Sequence, residues 1–287
     1  MAVELGAILT AMVTPFDEDG LLDEEAAVAL MHHLVDHGSD GLVVCGTTGE
    51  AATLSDEEQL RMIELAVHEM RGRCTIVAGV GSNDTRHAVY LTERATEIGA
   101  DALLSMNPYY NRPSRRGILR HFEEIDRVTD RPIILYNIPQ RTAVDMDNEL
   151  LAQLAQLERV VAVKQSNPAN LAPVEGLQIY TGNDDMLADV LDMGGAGGVC
   201  VASHLFGPEM HRMVDEPERR QEINASLQDA YRDLAVAPLA CSVKAALNML
   251  GLHVGGVRLP YVPLDEDEQA VIRSMLERHG LLRAAEA

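Results

Sequence analysis

Apolar residues along the chain fall into short runs at fairly even intervals. The runs are ILTAMV (8–13), GLVVCG (41–46), TIVAGV (75–80), ALLSM (102–106), PIILYN (132–137), VVAVKQ (160–165), LQIYTG (177–182) and GGVCVAS (197–203). Each is partly β-branched and bounded by Gly, Pro or Asp, which predicts strands buried on both faces. Most of the intervals carry helical periodicity instead. DEEAAVALMHHLVDHG (23–38) starts with acidic residues and stops at a glycine, as helix ends prefer. SDEEQLRMIELAVHEMRG (55–72) opens on Ser55 and Glu58 at capping-box spacing. DTRHAVYLTERATEIGA (84–100), SRRGILRHFEEIDRVT (114–129), DNELLAQLAQLE (147–158) and DDMLADVLDMGG (184–195) keep the rhythm, with only a brief helix expected between 165 and 177.

Strands alternating with helices from 8 to 203 predict an α/β chain, a (β/α)8 TIM barrel. An open doubly wound sheet shows the same alternation, so the pattern leaves closure undecided. From about Glu222 no strand candidate remains. INASLQDAYRDLAV, ACSVKAALNMLG and DEDEQAVIRSMLERHG read as three helices. The expected organisation is a catalytic barrel over 1–221 and a C-terminal helical appendage over 222–287.

Composition changes this picture in three ways. Apolar residues make up 47% but aromatics only 3%, with no Trp, so the core must be aliphatic. The formal net charge of −22 repels phosphate backbones and anionic lipid, which argues against nucleic-acid and membrane partners. An anionic substrate would therefore have to be drawn in by a few local cations. The cysteines, Cys45, Cys74, Cys200 and Cys241, lie far apart with no C-x-x-C pair, which fits reduced thiols rather than disulfides or structural zinc. MAVELGAILTAM has Glu4 where a signal peptide is basic, and no apolar run approaches the ~18 residues of a membrane span. The expectation is a soluble, cytoplasmic protein.

Barrel enzymes take their functional groups from the C-terminal ends of strands. Read in order, those ends are GTTGE, SMNPYYNRP, YNIPQR, KQSN, TGNDD and GVCVAS. Lys164 closes the sixth run and would point into the barrel mouth. With an apolar strand behind it the ammonium loses solvation, and its pKa is expected to fall. A neutral amine attacks carbonyls, so the natural use is a Schiff base; the plain alternative is a lysine that snorkels or pairs with a carboxylate. Tyr136, one strand earlier, is a proton-relay candidate, or simply a packed ring. Arg141, in the following loop, suits a substrate carboxylate, or is a surface arginine. In GTTGE (46–50) the glycines let the backbone approach a ligand, and Thr47 and Thr48 offer hydroxyls and N–H groups. In NPYYNRP (107–113) adjacent tyrosines in an extended segment would point opposite ways, one to the mouth and one to a neighbouring subunit. GVGSND lacks the third glycine of a dinucleotide fingerprint. GGAGG (194–198) is read as tight packing rather than a phosphate site. His33 and His37 stand one turn apart, but without an H-E-x-x-H motif no metal site is expected.

Together GTTGE, PYYNRPS, YNIPQRT, the strand-end lysine and TGNDD resemble the dihydrodipicolinate synthase / N-acetylneuraminate lyase family of pyruvate-dependent class I aldolases. The likeness runs from LTAMVTPF (9–16) to VRLPYVPL (257–264). It implies that Lys164 forms the Schiff base with pyruvate and that no external cofactor is needed. It implies a proton relay of Tyr136, Thr47 and Tyr110, the last reaching into a partner subunit's site, hence a homo-oligomer, a tetramer in this family. Thr48 would hold the pyruvate carboxylate, and Gly182 and Val199 would line the pocket through their backbones. The first threonine of GTTGE and Arg141 match the synthase branch, in which the arginine grips the carboxylate of aspartate semialdehyde on the route to diaminopimelate and lysine. Two other readings stay open: an aldolase for a sugar acid, such as N-acetylneuraminate or a 2-keto-3-deoxy acid, and a non-catalytic binding barrel. The chain departs from the family pattern at Gln165, where synthases commonly carry Glu, and at Asn183, where Asp is common. At positions matching the lysine-feedback cleft, Asn83 and Tyr109 are kept, but Gln59 and His87 replace His and Glu. Weak or absent inhibition by lysine is therefore expected.

Overall fold

The apolar runs form parallel strands that close on themselves. A computed structural model describes residues 4–282; residues 1–3 and 283–287, the outer ends of the two expected segments, lie outside the described residues. The strands are β1 (Ile8–Ala11), β2 (Gly41–Val44), β3 (Thr75–Gly79), β4 (Ala102–Met106), β5 (Ile133–Asn137), β6 (Val160–Gln165), β7 (Gln178–Thr181) and β8 (Gly197–Cys200). Each pairs in parallel with the next, and β8 pairs back onto β1 with Val199 opposite Leu9. That last ladder decides between a barrel and an open sheet.

The helices outside the barrel are α1 (Glu24–Asp36), α2 (Asp56–Met70), α3 (Thr85–Ile98), α4 (Arg115–Asp126), the single turn α5 (Pro139–Thr142), α6 (Asn148–Leu154), α7 (Leu187–Asp192) and α8 (Ser203–Asp215). The expected capping box of α2 is present: Ser55 Oγ accepts from Glu58 N, and the Glu58 carboxylate accepts from Ser55 N. Between β6 and β7 there is only a 3-10 turn, Pro168–Asn170. The pattern reading missed α8. Gly207 and Pro208 sit inside it and Phe206 has non-helical torsions, so two breakers disguise a kinked helix. The GGAGG run is indeed close packing. A Cβ on Gly195 would fall 2.5 Å from Val190 Cγ1, and one on Gly197 would fall 1.9 Å from the Ala7 carbonyl oxygen.

Three further helices follow: α9 (Arg220–Leu234), α10 (Leu239–Met249) and α11 (Glu266–Arg278). α9 packs on α7 and α8, and α10 and α11 pack on α9. The core is mostly aliphatic, as the composition requires, with Phe16, Phe122, Phe206 and Tyr180 among its largest buried side chains. Truncating a fully buried strand residue such as Leu103 to Ala would cost about 2–5 kcal/mol in lost transfer energy and cavity.

Candidate active site

The mouth of the barrel is built where β5 and β6 run side by side. Their register sets Tyr136 opposite Lys164, and Lys164 Nζ lies 4.3 Å from the centre of the Tyr136 ring. Both side chains are buried. They open into a pocket of about 140 Å³ whose walls include Thr47, Thr48, Arg141 and Gly182. Six of the eight residues singled out in the sequence thus meet in one place.

The GTTGE turn is held rigidly from behind. Cys45 (φ 56°) and Glu50 (φ 55°), which bracket it, both adopt left-handed torsions that non-glycine residues avoid, at about 1–3 kcal/mol each. Thr14 Oγ1 donates to the Gly49 carbonyl at 2.6 Å. Glu50 Oε1 accepts from Lys244 Nζ of α10 at 2.7 Å, and Glu50 Oε2 accepts from Arg258 N at 3.0 Å. Lys244 Nζ also donates to the Gly256 carbonyl at 2.6 Å and lies 4.1 Å from the centre of the Phe16 ring. Arg258 in turn grips Glu58 through both NH1 and NH2. This fork, together with the cap of α2, holds the Glu58 carboxyl down to about 2.

Asn137, the last residue of β5, fixes the loop that carries Arg141. Its Oδ1 accepts from Met146 N at 2.9 Å, and its Nδ2 donates to Asp145 Oδ1 at 2.8 Å and to Gln165 Oε1 at 2.9 Å. Gln165 Oε1 also accepts from Asn167 N at 2.9 Å. Gln165 therefore points away from the pocket, and Lys164 and Ser166 on either side of it point in, as strand alternation requires. Arg141 stands at the rim with no ion pair among the described residues. In TGNDD, Asp184 clamps the turn after β8: its carboxylate accepts from Val201 N at 2.8 Å and from Ala202 N at 3.1 Å. Desolvation of that carboxylate raises its pKa above the usual range, and the two amides pull it partly back.

Two of the eight do not line this pocket. Val199 is fully buried in β8, and Val201, two residues further along, forms the wall instead. Tyr110 is 89% exposed and does not line the pocket of its own chain. The extended alternation expected of Tyr109 and Tyr110 is also absent. Tyr110 (φ 71°) and Arg112 (φ 47°) are left-handed, and both tyrosines face outward. Residues the sequence reading did not select complete the walls: Ser166, and Leu239, Ala240 and Tyr261 from the C-terminal helices and their connection. Ser166 was within reach of the period-2 rule from Lys164; the other three carry no local signal. In the region matched to a lysine cleft, Gln59 Nε2 is already committed to the Gly79 carbonyl at 2.8 Å. His87 sits between Ser82 Oγ at 3.0 Å and Asp56 Oδ1 at 2.9 Å.

A larger open depression of about 650 Å³, beside Gly6, Tyr180 and Gly195, has no lysine, arginine or histidine in its described walls. Size alone does not locate the chemistry. Fold and site define a (β/α)8 barrel protein whose mouth gathers an amine, a phenol, two threonines and a guanidinium around one small pocket. The chain belongs to the dihydrodipicolinate synthetase family, whose model matches residues 4–279. It is 41% identical over 293 aligned residues to a 4-hydroxy-tetrahydrodipicolinate synthase of Synechococcus sp. (strain JA-2-3B'a(2-13)), covering 98% of this chain and 95% of that one. Its structure matches that of dihydrodipicolinate synthase DapA-2 from Bacillus anthracis with TM-score 0.91 at 36% identity, covering 96% and 99% of the two chains. A variant described as the first monomeric dihydrodipicolinate synthase matches with TM-score 0.92 at 32% identity, covering 97% and 98%.

Proposed function

We propose that this chain acts as a 4-hydroxy-tetrahydrodipicolinate synthase, a lyase that condenses pyruvate with L-aspartate 4-semialdehyde through a lysine Schiff base, on the route to diaminopimelate and lysine. The observation that carries the reading is Lys164 at the end of β6, facing Tyr136, with Arg141 at the rim of the same pocket.

The unprotonated amine of Lys164 attacks the pyruvate ketone, and the carbinolamine loses water to give an imine. Thr48 holds the pyruvate carboxylate, with the backbone of Gly182 across the pocket. Tyr136 and Thr47 pass protons in and out, joined by Tyr110 from a second copy of the chain. The imine loses a methyl proton to become an enamine, and its carbon attacks the aldehyde of the semialdehyde, whose carboxylate Arg141 holds. The product's amine then attacks the imine carbon. The bond to Lys164 Nζ breaks, the ring closes and the free lysine returns. The iminium itself is the electron sink, so the cycle calls for no metal or external cofactor.

The exposure of Tyr110 supports a homo-oligomer, a tetramer built from dimers, in which this phenol serves the neighbouring pocket. Among the described residues no helix is long and apolar enough to cross a membrane, and we place the protein in the cytoplasm. With Gln59 engaged on Gly79, lysine inhibits weakly or not at all. Inhibition at micromolar lysine in a steady-state assay contradicts this. Gln165 lends no support to a sugar-acid aldolase, because its side chain is turned out of the pocket.

The deciding test is borohydride reduction in the presence of pyruvate, peptide mass spectrometry of the product, and a turnover assay with aspartate semialdehyde. The sequence contains only two lysines, Lys164 and Lys244, so the assignment is unambiguous. An adduct on Lys164 with turnover is expected. An adduct without turnover would move the reading to another pyruvate aldolase, and no adduct would end it.

A further inference from the structure

Ser166 is the one pocket residue whose polar side-chain atom is both buried and without a hydrogen-bond partner among the described residues. The residue is only 3% exposed. A buried hydroxyl left unpaired is unfavourable, and such groups in native proteins call for a reason. Its position supplies one. Ser166 lies two residues beyond Lys164 on the same side of the β6 strand line, about 6.6 Å nearer the mouth. A Cβ on Gly182 would fall 1.9 Å from Ser166 Oγ and 3.0 Å from Lys164 Cε. The hydroxyl and the lysine stem therefore both pack against Gly182, in room that a side chain there would take. The Ser166 carbonyl is also tied to Gln140 Nε2 at 3.5 Å, next to Arg141.

We infer that Ser166 Oγ accepts a hydrogen bond from the amino group of aspartate semialdehyde. It thereby selects an amino-acid aldehyde over one that lacks the amine. This rests on the Schiff-base reading of Lys164. Arg141 supplies a cation for the carboxylate, but an ammonium group entering the pocket also needs an acceptor. Ser166 Oγ is an acceptor with free capacity, placed beside the lysine that the amine must later displace. An amine held there already stands close to the imine carbon it will attack.

The test compares wild type with Ser166→Ala on two aldehydes, aspartate semialdehyde and succinic semialdehyde, which keeps the carboxylate and aldehyde but has no amine. Turnover is measured with the first; the second is measured as a competitor against it. The expected result is about a tenfold fall in kcat/KM for aspartate semialdehyde. The Ki of succinic semialdehyde, the KM for pyruvate and borohydride trapping on Lys164 should stay unchanged. An equal loss of affinity for both aldehydes, an unchanged kcat/KM for aspartate semialdehyde, or a raised KM for pyruvate would overturn the assignment of Ser166 alone. Failure of trapping in the wild type would overturn the Schiff-base reading and this inference together.

Discussion

The chain's two lysines are both buried beside an aromatic ring, and they have opposite surroundings. Lys244 Nζ has a carboxylate at 2.7 Å and a carbonyl at 2.6 Å, and its side chain is 2% exposed. Lys164 faces Tyr136 and a pocket, with no ion pair among the described residues. Every other fixed side-chain cation in the sequence is an arginine. Burial lowers the Lys244 pKa even with Glu50 pulling it up, so that pair is held against a desolvation penalty. The contrast teaches that burial alone does not mark a reactive lysine. What distinguishes the two is whether the ammonium's hydrogen-bonding capacity is spent on the protein. Lys244 spends it on Glu50 and Gly256 and so ties α10 to the turn carrying Thr47 and Thr48. Lys164 spends none of it on an ion pair among the described residues and faces the pocket.

The sharpest break of this comparison is removal of the proposed nucleophile. Lys164→Arg keeps the charge and loses the attacking amine, and turnover should fall by about 10⁴ or more in a coupled assay. Normal turnover would mean that the two lysines had been read the wrong way round. Next is Lys244→Met, which leaves Glu50 charged and buried without its partner. Urea unfolding should show a loss of about 3–5 kcal/mol, with pyruvate still trapped on Lys164 in the folded fraction. Adding Glu50→Leu should recover much of that loss.

Acid separates the barrel from the seam that Lys244 helps to anchor. His204 is buried, its Nε2 accepts from Val13 N and its Nδ1 donates to the Val201 carbonyl, so a second ring proton would face an N–H. Burial lowers its pKa to about 4, and that of buried His121 likewise. Between 6.5 and 4 the unfolded chain binds more protons than the folded one, so stability falls as pH drops through that window. The loss is about 3 kcal/mol for His204 alone. The Glu58–Arg258 clasp loses stability in the same direction but in a lower window: its contribution is complete above 4.5 and disappears only towards about 2. Urea curves at pH 7, 5.5 and 4.5 should show the loss, and His204→Gln should flatten it. The smallest expected effect belongs to Gln165→Glu. A carboxylate there can accept from the same Asn137 and Asn167 donors, so KM for both substrates should stay within about twofold. A switch of substrate would show that the residue reaches the pocket after all.

Much of the site was readable because strands obey a simple rule. Side chains alternate, and the C-terminal ends of barrel strands face one mouth, so position and chemistry brought Lys164, Tyr136, Thr47, Thr48 and Arg141 forward as candidates, each beside a plain structural alternative, and the family resemblance gave them their roles. Val199 was expected to line the pocket through its backbone; the residue that stands in the wall is Val201, two positions further along. The helix α8 escaped because Gly207 and Pro208 break local propensity, while packing against β1 and α9 keeps the segment helical. Leu239, Ala240 and Tyr261 carried no signal, since they reach the pocket only when the appendage folds back over it.

The sequence by itself determined the order of strands and helices, an aliphatic core and the identity of the chemically able residues. Those depend on local periodicity and on side-chain chemistry, which any short window displays. Only the tertiary structure decided that the sheet closes, which lysine is already paired, and that Gln165 turns outward while Ser166 turns in. Each of those is a question of what meets what across tens or hundreds of residues. Hydrogen-bond partners and desolvation are set by that meeting, not by the neighbours in the chain.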